Sequence, residues 1–196
     1  MTRAHSSHPD SSPKPESPTG LLKQRINTRQ AGLILIIIYS VGLVGLSIPE
    51  TQRLFASLTP ITLLLSMFLL IIWHGQWSGK QIRILGGIAL AGYLIEVLGV
   101  LTGEVFGDYS YGASLGPKLA GTPPLIGLNW AMLIYLVWGL LPHRRMHPFL
   151  IILCGALIMV AYDVILEPPA IRLDMWSWGE GEIPFQNYAA WFVISL

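Results

Sequence analysis

The chain has 196 residues, of which 53% are hydrophobic and only 12% charged, and its mean hydropathy is +0.57. Soluble domains carry about 25% charged residues, so this composition excludes a soluble globular protein and indicates a single integral membrane domain. The formal net charge of +1 excludes a basic nucleic-acid-binding surface and argues against a strongly acidic substrate.

Residues 1–19 are rich in Ser, Pro, His and charge and lack apolar periodicity, and Lys23, Arg25 and Arg29 follow them. We expect 1–30 to form a disordered, basic, cytoplasmic tail and 31–196 to form the transmembrane helical domain. A signal peptide would place its short apolar core nearer the start, so the first apolar segment is expected to be retained. Five hydrophobic segments of spanning or near-spanning length follow, at 31–48, 54–73, 82–102, 124–141 and 149–166. A sixth opens near Phe185, and its eleven residues reach about 16 Å against a hydrocarbon core of about 30 Å. The expected fold is all-α, a polytopic transmembrane bundle of about six helices. The last helix is expected to be truncated, with the full sequence continuing beyond it.

Basic residues set the orientation. With the N-terminus inside, Arg3, Lys14, Lys23, Arg25, Arg29, Lys80, Arg83, Arg144 and Arg145 are cytoplasmic. Only Arg53, Lys118 and Arg172 lie outside, a bias of nine to three. The loop acids Glu50, Glu104, Asp108, Glu167, Asp174, Glu180 and Glu182 gather on the outer side. They do not set topology, but they locate a candidate site.

Glu96 interrupts the third segment. On a helix, Gly92, Glu96, Gly99 and Gly103 fall within about 60° of one another. A carboxylate at mid-helix depth costs on the order of 3 kcal/mol on insertion scales, so it usually faces a bundle interior or a wet cavity. A packing glutamate with one hydrogen-bond partner satisfies the same pattern. We nevertheless expect Glu96 to lie at the functional centre.

The two longer outer loops resemble one another. One runs through Glu96, Glu104, Asp108, Tyr109, Tyr111, Pro123, Pro124, Asn129 and Trp130; the other runs through Asp163, Glu167, Pro168, Trp176, Trp178, Pro184, Asn187 and Trp191. Each has a helix ending in carboxylates, an aromatic-x-aromatic pair, a proline, and a helix opening with Asn and Trp. Internal repeats of this kind occur in membrane proteins. Asp163 and Glu167 are four apart and share a helix face, and Pro168 biases that helix to stop at Glu167. Carboxyls grouped in this way can divide into proton donor and proton acceptor. The plainer alternative is that they cap the bundle rim or bind Arg172. Tyr109, Tyr111, Trp176 and Trp178 fit an interfacial aromatic belt or faces that stabilise a cation. Trp73 and Trp77 fit a belt on the inner side. Asn129 and Asn187 fit either ordinary helix-start polarity or the holding of a water.

No C-x-x-C, H-E-x-x-H or Gly-rich phosphate loop is present. The single Cys154 lies in an apolar run and reads as a small hydrophobe. The five histidines lie in the tail and short loops, so no metal site is expected.

The stretches EVLGVLTGEVFGDYSYGASLGPKLAGTPPLIGLNW and YDVILEPPAIRLDMWSWGEGEIPFQNYAAW resemble the carotenoid biosynthesis protein family of membrane hydratases, of the γ-carotene and bisanhydrobacterioruberin hydratase type. The resemblance implies addition of water across the terminal double bond of a ψ-type carotenoid end, giving a tertiary alcohol with no cofactor. Its partners would be the lipid bilayer, the carotenoid substrate and other enzymes of the pathway. Its location would be a bacterial plasma membrane. Glu96 and Asp163, the two acids inside apolar helices, are the first catalytic candidates, followed by Glu104, Asp108 and Glu167. Tyr109, Tyr111, Asn129, Trp130, Trp176, Trp178, Asn187 and Trp191 are the substrate-binding candidates. A membrane lycopene-cyclase-like enzyme would share the acid chemistry but add no water. A small proton-coupled transporter would need access from both sides, and the inner helix ends carry almost no acid.

The basic bias yields a topology test. In a Cys154→Ser background, a cysteine at Ser114 is expected to be labelled from outside and one at His143 is not. The reverse pattern would invert the orientation.

Overall fold

A computed structural model describes residues 28–179 and 181–196; the expected tail lies outside them up to residue 27, as does Glu180. Helix α1 (Thr28–Ser47) begins three residues before the expected boundary and exposes Ile36, Leu43 and Val44, as a lipid-facing helix would. The expected second span is not a single straight rod. It divides into α2 (Pro49–Ser57) and α3 (Thr59–His74), which meet at 52°. Pro60 accounts for the break, since a proline in the first turn of α3 removes an N–H and crowds the preceding turn.

A capping box then starts α4 (Gly79–Thr102). The Ser78 hydroxyl accepts from the Gln81 N–H, and the Gln81 side chain accepts from the Ser78 N–H. Helix α4 packs most extensively on α5 (Leu125–Leu140), and α6 (Pro148–Arg172) on α7 (Phe185–Ser195). Two glycines permit the α4–α5 crossing. A Cβ at Gly92 would lie 2.8 Å from Trp130, and one at Gly127 would lie 2.3 Å from the Ala89 carbonyl oxygen. At the opposite end of the bundle from Glu96, His74 stacks on Trp77 at 3.9 Å and bonds Tyr135 Oη, which ties α3 to α5.

Helix α6 departs from expectation by running through Pro168 and Pro169 to Arg172 instead of stopping near Leu166. Each proline withholds one intrahelical N–H, which leaves the Val164 and Ile165 carbonyls without it. The turn is held from beyond the helix: Ala170 is fully buried, and its carbonyl accepts from the Met175 N–H at 2.9 Å.

Between the helices lies a two-stranded antiparallel ribbon absent from the sequence reading. Strand β1 (Tyr109–Tyr111) pairs with β2 (Trp176–Trp178), placing Tyr109 opposite Trp178, Ser110 opposite Ser177 and Tyr111 opposite Trp176. Alternation turns the aromatics toward the bundle and leaves the two serines exposed. Among the described residues, α4 and α6 are long and apolar enough to cross a membrane, and the bent α2–α3 pair can supply a third crossing. The shorter apolar helices are Gly32–Ser47, within α1, and α5. The architecture is a nearly all-α, multi-helix membrane bundle with a polar end under the ribbon.

The α4–α5 contact can be tested by adding one methyl group. Gly127→Ala forces a Cβ into the Ala89 carbonyl and is expected to cost about 1–3 kcal/mol of stability, the usual range for overpacking. Gly86→Ala, which meets nothing within 4 Å, is expected to be neutral. Thermal unfolding in detergent reads both.

Candidate active site

Glu96 is one of three buried positions on α4, with Gly92 and Gly99, so the glycine stripe does face inward. Tyr109 and Tyr111 both donate to Glu96 Oε2, at 2.6 and 2.7 Å. Trp130 on α5 donates its indole N–H to Oε1 at 2.9 Å. Gly99 keeps this approach open, because a Cβ there would lie 2.7 Å from Phe106 and 3.0 Å from Tyr109 Oη. Trp130 is itself fixed by stacking on Trp191 of α7, with centroids 4.4 Å apart.

A second carboxyl group sits across the cavity on α6. Glu167 Oε2 accepts the indole N–H groups of Trp176 and Trp178 at 2.9 and 3.0 Å. Asn187 donates its amide to Asp163 Oδ2 at 2.6 Å and reaches Glu167 Oε1 at 3.4 Å. Asp163 Oδ1 accepts no hydrogen bond among the described residues. All three carboxyls are buried, at 5% exposure or less, and no Lys or Arg among the described residues pairs with them.

These groups line a cavity of about 50 Å³, formed by Glu96, Asp163 and Glu167 with Asn129, Asn187 and seven aromatic rings. A cavity needs roughly 10–15 Å³ of such space to hold a water, so it has room for water. Asn129 is half-buried, and its amide makes no hydrogen bond among the described residues. It is therefore free to hold a guest molecule. The described residues contain no group of three or more His, Cys, Asp or Glu placed to bind a metal ion.

The structure brings together Glu96, Asp163, Glu167, Tyr109, Tyr111, Asn129, Trp130, Trp176, Trp178, Asn187 and Trp191. It does not bring Glu104 or Asp108 to them, because both are exposed. The Glu104 carbonyl accepts from Gln186 Nε2, and Asp108 packs against Gly179, whose N–H bonds the Asp108 carbonyl. Arg172 pairs with none of the buried acids. The cavity also uses Phe106, Ile126 and Leu166, apolar residues that nothing in the sequence separates from ordinary packing. The four ribbon aromatics direct their polar atoms inward to carboxyl oxygens, an orientation that a lipid-interface belt would not require.

Fold and site together define a helical membrane protein with a carboxyl cluster buried at one end of its bundle. The chain belongs to the carotenoid biosynthesis protein family, whose profile matches residues 58–196 and so includes every residue of the cavity. It is similar to the bisanhydrobacterioruberin hydratase of Haloarcula japonica, with 31% identity over 117 residues. That alignment covers 54% of this chain and 39% of the relative, so the chain matches about two fifths of the relative's length. No solved structure matches.

Burial first, and then the adjacent Glu96 charge, push the phenols of Tyr109 and Tyr111 above their ordinary value. The folded state therefore keeps protons that the unfolded state releases. The resulting stability is present in full below the unfolded phenol value of about 10 and is lost as pH rises above it. Alkaline unfolding followed by phenolate absorbance is expected to show two phenols ionising only with unfolding. That coupled step should be smaller by two phenolates in the Tyr109→Phe, Tyr111→Phe variant. Equal pH dependence of stability in the two proteins would contradict the assignment.

Proposed function

We propose that this protein is a carotenoid hydratase, adding water across the terminal trisubstituted double bond of a ψ-type carotenoid end to give a tertiary alcohol. The observation that carries the reading is the convergence of three buried carboxyls, unpaired with any Lys or Arg among the described residues, on one cavity with room for water. Family membership and likeness to a protein named as a hydratase support it.

The hydrogen bonds suggest how the acids divide the work. Asp163, the carboxyl with an oxygen left free, protonates the less substituted alkene carbon. A C–H bond forms, the π bond is consumed, and positive charge develops on the tertiary carbon. Glu96, held by three uncharged donors, faces that charge as a carboxylate. Water positioned by Asn129 forms the C–O bond, and its surplus proton passes to Glu167. Asp163 and Glu167 are one helical turn apart and share Asn187, so the proton has a short return path to Asp163. The sum is one water added with no change in oxidation level, and the reaction therefore calls for no redox cofactor.

The test is conversion of a linear or monocyclic carotene to a product heavier by one water, without added reductant or oxygen. Glu96→Gln and Asp163→Asn are each expected to lower the rate at least about 100-fold, the usual contribution of a general acid or base, while the protein still accumulates. Glu182→Gln, at an exposed loop position, is expected to be near neutral. Substantial activity in the Glu96→Gln, Asp163→Asn double variant would sink the assignment. A product of unchanged mass would identify a cyclase, and a requirement for oxygen would identify a hydroxylase.

A further inference from the structure

Behind the ribbon, at the same end of the bundle but outside the carboxyl cavity, lies a groove of about 500 Å³ between α2 and the segments flanking the strands. Pro49, Gln52 and Arg53 line it from α2; Ser114, Arg172 and Asp174 line it from the other side. Of the three basic residues that the sequence places at this end, Lys118 is engaged, donating to the Tyr111 carbonyl. The other two, Arg53 and Arg172, line the groove, and their side chains make no hydrogen bond or ion pair among the described residues. Asp174 supplies a single opposing charge, and its Oδ2 already accepts the Ala113 N–H at 3.2 Å. Two guanidiniums against one carboxylate leave one net positive charge, which matches one phosphodiester.

The flank of the same bent pair of helices is apolar. Leu54, Leu58 and Ile61 are 59%, 38% and 61% exposed, beside the groove residues in sequence but not lining it. We propose that this groove is a binding site for the phosphate of an anionic phospholipid, with Arg53 and Arg172 as its ligands and the acyl chains lying along Leu54, Leu58 and Ile61. Planar guanidinium forks suit phosphate oxygens, and basic residues beside a bilayer attract anionic lipid. The site does not depend on the hydratase reading. It touches the ribbon nonetheless, since Asp174 holds Ala113 and Ser114 just past β1.

The experiment is native mass spectrometry of the delipidated full chain with equal amounts of phosphatidylglycerol and phosphatidylcholine. Wild-type protein is expected to retain phosphatidylglycerol at least about fivefold more than phosphatidylcholine, the scale of one basic contact at a membrane surface. The preference is expected to vanish in Arg53→Gln, Arg172→Gln and to survive in Arg53→Lys, Arg172→Lys. Should the glutamine variant not fold, raising ammonium acetate with the wild type decides, because a phosphate contact weakens with salt. Equal retention of both lipids, a preference unchanged in the glutamine variant or by salt, or displacement of the lipid by inorganic phosphate alone would overturn the proposal.

Discussion

A carboxyl group among lipid-facing helices costs several kcal/mol unless donors meet it, and here three such groups share one end of a bundle with no lysine or arginine among the described residues paired to them. Much of the local architecture follows from that constraint. Two phenols and three indoles direct an O–H or N–H at carboxyl oxygens. Two three-residue strands would not hold together alone in water. The ribbon persists because its inward side chains end on Glu96 and Glu167, which sit on the two longest helices. A hydrogen bond contributes about 0.5–1.5 kcal/mol net, and a buried polar group left without one costs about 1–3 kcal/mol, so the ribbon and the carboxyls hold one another in place.

The site is built twice over. In one half, α4 carries Glu96, β1 supplies its aromatic donors, and α5 follows with Asn129 and Trp130. In the other half, α6 carries Asp163 and Glu167, β2 supplies the donors, and α7 follows with Asn187 and Trp191. Glu96 precedes Tyr109 by the same thirteen positions that separate Asp163 from Trp176. The helix pairs α4–α5 and α6–α7 form the two most extensive contacts, and the halves meet through the antiparallel strands and the Trp130–Trp191 stack. The asymmetry lies in the donors. Glu96 receives three on its two oxygens, whereas Asp163 receives one and leaves an oxygen open.

Much of this arrangement was legible in the sequence, because helical periodicity speaks directly to which residues share a face. The glycines around Glu96 and the four-residue step from Asp163 to Glu167 placed those acids inward. The aromatic-x-aromatic spacing marked both strands without revealing that they pair, since three residues are too few to display a strand period. Proline misled in one place and was overlooked in another. At Pro168 the helix continues because contacts beyond it outweigh the local penalty, while at Pro60 the chain turns inside an otherwise apolar run. Glu104 and Asp108 lie close in sequence to the buried acids, but loop residues follow no fixed period, so only coordinates separate an exposed carboxylate from a lining one.

The donors around these acids also bear on the chemistry. An arginine in place of Trp130 would hold Glu96 at least as firmly, and charged partners are the usual means of keeping a buried carboxylate in place. For the proposed hydration, such a partner would work against the reaction. A cation beside the alkene would raise the energy of the carbocation and cancel the charge on Glu96 that stabilises it. Indole and phenol donors supply the same hydrogen bonds with no net charge, and they present apolar faces to the hydrocarbon chain of the substrate. They also leave the excess negative charge of the cluster unneutralised, as acid-catalysed addition through a cation requires. That the described residues pair no basic side chain with these acids makes the site expensive to fold, and on this reading it is what suits the site to carbocation chemistry.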